Sequence, residues 1–190
     1  MPFSGLQFFK LHPGYISGQW YPPLATPGSG LALTANTVRC APTLSLSSNV
    51  IVTDLAINVT TAAAGGNMQI ALYANGSDSL PGQPIVTSGN IDVSTTGIKT
   101  VSVTPTALPA GPIWFCANSD SATVATLSVS TASGVTAALL GGVSTSTVLS
   151  SALGIGLSAT QTFGTWGALT GLSWSIINAN RMPWVAFKVQ

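Results

Sequence analysis

Val50–Thr60 reads VIVTDLAINVT, and its alternation decides the fold. Leu55, Ile57 and Val59 fall on one face, with Asp54, Asn58 and Thr60 on the other. A period of two is the signature of a half-buried strand, because successive side chains of extended backbone point to opposite faces. The same period recurs along the chain. Met68, Ile70 and Leu72 alternate with Gln69, Ala71 and Tyr73. Ile91 and Val93, Val101 and Val103, Leu127 and Val129, and Val185, Phe187 and Val189 each skip a residue in the same way. Ile113–Ala117 (IWFCA) is apolar without a break, which suits a strand covered on both faces.

Between these runs stand turn formers: Gly65-Gly66-Asn67, Asn75-Gly76, Pro81-Gly82, Thr96-Gly97 and Pro109-Ala110-Gly111. They supply positive or preset φ where the chain must reverse. Short strands with frequent turns and no helical period between them predict an all-β antiparallel two-sheet sandwich. Eight or more strands in one domain make a jelly roll the expected winding.

The sandwich is expected over residues 31–190. Residues 1–30 have a different character, with Phe3, Phe8, Phe9, Tyr15, Trp20 and Tyr21 among five prolines. Interior prolines remove backbone donors and clash with the preceding turn, so no regular helix forms there. The expectation is an extended N-terminal arm. Its aromatic residues Phe8, Phe9, Tyr15, Trp20 and Tyr21 either anchor on a partner surface or fold back on the arm's own domain.

The chain has 190 residues, of which 46% are hydrophobic and 5% charged, with net charge +1. That excludes a disordered polyion. Five scattered cations make no footprint for nucleic acid. No stretch has the roughly 20 unbroken apolar residues of a membrane helix, and MPFSGLQFFKLHPG is too short in apolar length for a secretory signal. So few ions give little protection against association, which points to a subunit of an assembly. The uncharged stretch between Asp120 and Arg181 is the place to look for its interface. Leu139, Leu140, Val143, Leu149 and Leu153 are the candidate interface residues. The other readings of this stretch are a long internal hairpin covering the domain's own sheet and, last, a membrane-penetrating loop.

Candidate chemistry is sparse. His12, the single histidine, precedes Pro13 in the arm, and no G-x-S-x-G elbow occurs. Asp54, Asp78, Asp92 and Asp120 stand singly in strands or turns, whereas glycoside cleavage commonly takes a carboxylate pair. No Cys/His cluster has zinc spacing, and no glycine-rich string has the Lys and helix start of a phosphate cradle. No cofactor, metal or catalytic residue is therefore assigned. Cys40 and Cys116 can form one disulfide, but the favoured reading is a small buried thiol in each strand. The five tryptophans, Trp20, Trp114, Trp166, Trp174 and Trp184, read either as sugar-stacking platforms or as packing residues, and packing is favoured because no paired polar residues stand beside them.

Four consecutive strings, VTDLAINVTTAAAGG (52–66), NMQIALYANGSDSLPG (67–82), IDVSTTGIKTVSVT (91–104) and ALPAGPIWFCA (107–117), resemble a module of tailed-bacteriophage virion proteins. FGTWGAL (163–169) and RMPWVAF (181–187) are similar to its C-terminal part, and GYISGQWYPP (14–23) to its lead-in. Pro112-Ile113 departs from an aromatic pair usual there. The resemblance implies a phage-particle component with a self-associating β-sandwich and does not fix its location; the sparse chemistry and low charge add the expectation of a non-enzymatic surface subunit, a homotrimer. The first expectation is a capsid decoration or cement subunit lying on other virion proteins such as the major capsid protein. The alternative is a tail-fibre or receptor-binding tip, with loops Asn75–Pro81 and Asn118–Thr123 at one end of the sandwich meeting host-surface glycans.

Overall fold

The computed structural model describes residues 15–23, 27–45, 50–129, 156–177 and 182–190. Thirteen strands and no helix are found among them. They form two antiparallel sheets packed face to face, so the predicted sandwich is observed.

The first sheet is organised by the long strand β4 (Val50–Thr61). One edge of β4 pairs with β8 (Gly97–Leu108) over nearly its whole length. The other edge is shared in series by β13 (Val185–Val189) and β10 (Ala125–Val129). Outside these lie β1 (Trp20–Tyr21) on β13 and β2 (Pro27–Ala32) on β10. The second sheet runs β12 (Ser175–Ile177), β11 (Gly156–Thr160), β3 (Thr37–Ser45), β9 (Gly111–Ser119) and β5 (Asn67–Asn75). The free edge of β5 is then divided between β6 (Pro81–Thr87) and β7 (Ile91–Asp92). The predicted jelly-roll winding depends on the connection through 130–155, which lies outside the described residues.

Turn chemistry places the strand ends. Gly97 and Gly111 adopt φ of 110° and 108°, which a side chain at either position would strain. They open β8 and β9 after the Thr95-Thr96 and Pro109-Ala110 turns.

The main core lies between the sheets. Val52, Leu55, Ile57 and Val59 of β4 meet Met68, Ile70 and Leu72 of β5 and Ile113, Phe115 and Ala117 of β9. Phe187 stacks on Phe115 at 6.0 Å. Each such fully buried side chain contributes about 1.5–3 kcal/mol relative to its exposed state.

A second cluster, on the outer face of the second sheet, departs from the predicted alternation. Ala71 and Tyr73, expected on a solvated face, are fully buried with Trp114, Cys40 and Cys116. The segment 161–174 lies over them, laying down Leu169 with Trp166, Leu172 and Trp174. It is held by hydrogen bonds from Tyr73 Oη to the Gly167 carbonyl (2.9 Å) and from Leu169 N to the Gly82 carbonyl (3.0 Å). Burial pushes the Tyr73 phenol up, so it stays a donor. Part of the uncharged stretch thus covers the domain's own sheet, while Leu139, Leu140, Val143, Leu149 and Leu153 lie outside the described residues.

The cysteines also correct the sequence reading. Cys40 and Cys116 face each other in the β3–β9 ladder and are joined as a disulfide. Both lie buried in strands as expected, but joined to each other and not as free thiols. The alternation pattern carries no register between β3 and β9, and register is what brings the two sulfurs together.

Candidate functional site

The outward face of the first sheet carries a concentration of exposed apolar side chains. The register lays it out in rows. Trp20 stands beside Lys188, Lys188 beside Asp54, and Asp54 beside Ser102. The next row is Ala186, Ala56 and Thr100, and beyond it lie Asn58 and Ile98. Trp184, just before β13, reaches the same face. Strand periodicity explains the arrangement, since these residues alternate with the buried Leu55, Ile57, Val185 and Phe187.

The result is a trough of about 340 Å³ with Trp20, Trp184 and Ile98 on its sides and Ala56 and Ala186 in its floor. Its depth comes from the small floor residues. Ile98 is 75% exposed and Trp20 39%, so these apolar groups are available at the surface. Asn58 and Thr100 line the same trough.

The charged row is the next row along the sheet. Asp54 Oδ1 accepts from the Ser102 hydroxyl at 2.7 Å, and Oδ2 accepts from the Thr53 hydroxyl at 2.9 Å, with Lys188 Nζ 3.9 Å away. The Ser102 bond chiefly, then the Thr53 bond and the Lys188 charge, hold the Asp54 carboxyl below the usual carboxylate range, against a raising effect of burial. The pair leaves the trough itself without net charge.

The other carboxylates stabilise turns and strand ends. Asp78 Oδ1 accepts from Leu80 N, Asp92 from Ser94, and Asp120 from the backbone and side chain of Asn67. The depression of about 440 Å³ beside Asn90, Asp92 and Lys99 belongs to the β7–β8 turn. There the Lys99 ammonium donates to Thr95. Among the described residues no three His, Cys, Asp or Glu side chains gather as metal ligands.

The predicted arm residues divide. Tyr21 and Tyr15 turn inward, their rings 6.0 and 5.9 Å from Phe187 and 4.7 Å from each other. Trp20, between them in strand phase, turns outward. Phe8 and Phe9 lie outside the described residues. The candidate glycan loops do not share an end of the sandwich. Asn75–Pro81 follows β5 and Asn118–Thr123 borders its start at Asn67. The nine residues of β5 therefore separate them, roughly 26 Å at a strand's rise per residue.

The sequence reading offers Trp184 only among five tryptophans and does not single out Asn58, Thr100 or Ile98. The available signal is the outward phase of β4 and β8 and of the residue leading into β13, which becomes a site only once those elements are known to be neighbours. Compared with known proteins, the chain matches no protein-family model and no curated protein.

Proposed function

We propose that this chain is a non-enzymatic structural subunit on the surface of a bacteriophage particle, in the first instance a capsid decoration or cement subunit. The observation that carries the reading is where the phage-like strings fall. They follow one another along the chain and cover most of β4, β5, β8 and β9, strands that supply much of the main core. Their turn signatures, Pro81-Gly82, Thr96-Gly97 and Pro109-Ala110-Gly111, stand at strand junctions, where such signatures govern folding.

The polar chemistry fits a mechanical role. Asp54, Asp78, Asp92 and Asp120 each hold a local turn or strand contact. The work of such a subunit is area burial against neighbours, at about 25 cal/mol per Å² of apolar surface. A homotrimer closed through Leu139, Leu140, Val143, Leu149 and Leu153 supplies part of that area, and the major capsid protein the rest.

Quantitative mass spectrometry of purified particles tests the placement. Hundreds of copies support the capsid reading, tens or fewer place the chain in the tail as a fibre or tip, and absence from particles overturns both. Sedimentation of Leu140→Asp tests the trimer: monomer or aggregate is expected, and an unchanged trimer refutes the interface.

A further inference from the structure

We infer that the trough on the outer face of the first sheet is a binding site for a neutral saccharide, gripped between Trp20 and Trp184 over the Ala56–Ala186 floor. The inference stands apart from the particle reading, because it depends on this face alone.

Two classes of tryptophan are present. Trp114 donates its indole N–H to Asn75 Oδ1 at 2.9 Å, and Trp166 is half-buried against Tyr73 at 5.7 Å between ring centres. With Trp174, those two pack in the second cluster. Trp20 lines an open trough, and Trp184, half-buried with Ile177 against Ala41 and Met182, lines the same trough. Among the described residues, their indole N–H groups, the Asn58 amide and the Thr100 hydroxyl form no hydrogen bond, although all four border one space.

That combination selects the ligand chemistry. A pyranose ring has apolar C–H faces and a belt of hydroxyls. Indoles accept the former, and an amide, a hydroxyl and two indole N–H donors serve the latter. The site volume falls at the lower end of the roughly 300–1,000 Å³ range of small-molecule sites. A stable protein interface needs about 800 Å² per partner, far more than a trough of this size. Charge selects further. Asp54 and Lys188 already face each other, so the trough offers no unpaired cation to an acidic sugar.

The test uses the full chain with neutral gluco-, manno- and galacto-oligosaccharides and an oligouronate as probes. Calorimetry and tryptophan fluorescence are the readouts. A neutral oligosaccharide is expected to bind and perturb the fluorescence. Trp184→Ala weakens it about tenfold, the loss expected for one aromatic contact and its area. Ala56→Leu fills the floor and weakens binding comparably, and Asn58→Ala, a surface change that spares the fold, weakens it several-fold. Unchanged thermal unfolding of Asn58→Ala keeps the result independent of folding. The inference is overturned if no neutral oligosaccharide binds at about 10 mM, a concentration that would reveal even millimolar affinity. It is also overturned by equal affinity in all variants, by binding of the oligouronate alone, or by Ala56→Leu altering self-association instead of saccharide binding.

Discussion

Reducing the Cys40–Cys116 disulfide removes a covalent link without removing an atom of packing, and its cost follows from the chain it closes. The two residues are 76 apart in sequence. In the chain-entropy treatment a loop of that length restrains the unfolded ensemble by about 4.5 kcal/mol. Residual structure in the reduced unfolded chain lowers this, so a loss of about 3–4 kcal/mol is expected. That is a large part of the 5–15 kcal/mol typical of a domain. For a chain of this size each kcal/mol moves the melting temperature by about 2–4 °C, giving a drop of roughly 6–16 °C. Both cysteines are fully buried, so reductant acts only after the sheet opens. The assay is urea unfolding with and without dithiothreitol, equilibrated from the unfolded side, with thiols counted in the denatured protein. Two free thiols before reduction, or one midpoint under both conditions, would refute the reasoning.

Gly156→Ala is expected to cost about 1–3 kcal/mol. Its Cβ would run into the Met182 sulfur and lie 2.6 Å from the Cys40 carbonyl oxygen, which is backbone and cannot swing aside. Chemical denaturation reads the loss, and a neutral result would show that the Met182 loop relaxes. Phe187→Ala should destabilise by about 3–5 kcal/mol and release the Tyr15–Tyr21 segment, since both tyrosines rest on that ring. Limited proteolysis before residue 22 should accelerate more than global unfolding predicts, and equal acceleration of all sites counts against it. Asp54 has a folded carboxyl value depressed below its unfolded one near pH 4, chiefly by Ser102. Its contribution is full above that pH and is lost as pH falls through the lower folded value. Thermal unfolding from pH 6 to pH 2 should therefore fall less steeply for Asp54→Asn than for the native chain, and parallel curves would remove Asp54 from the acid response.

Much of the sandwich was legible because strand phase is a local property. Leu55, Ile57 and Val59 lie inward as their spacing requires, and the unbroken run at Ile113–Ala117 is a central strand covered on both sides. Tyr73 was not legible, because its cover arrives from residues 161–174, nearly a hundred positions later. The disulfide was hidden for the same reason: the Cys40–Cys116 register belongs to the pairing of two strands. The trough was the least legible feature. Trp20, Asn58, Ile98 and Trp184 are scattered over three elements and one lead-in, and only the order β8, β4, β13, β1 gathers them.

The pairing of β1 with β13 has a mechanical consequence. Gly18 N donates to the Val189 carbonyl and Val189 N to the Gln19 carbonyl, so Gly18–Gln19 and Val189 lie side by side at one end of the sandwich. Tension pulling those two points apart would peel their short ladder open one bond at a time, with little resistance. A load drawing both in one direction would instead slide β13 along β4, where several bonds must rupture together. A tether made through either point alone holds the body by that end and turns the Asn118–Thr123 end outward.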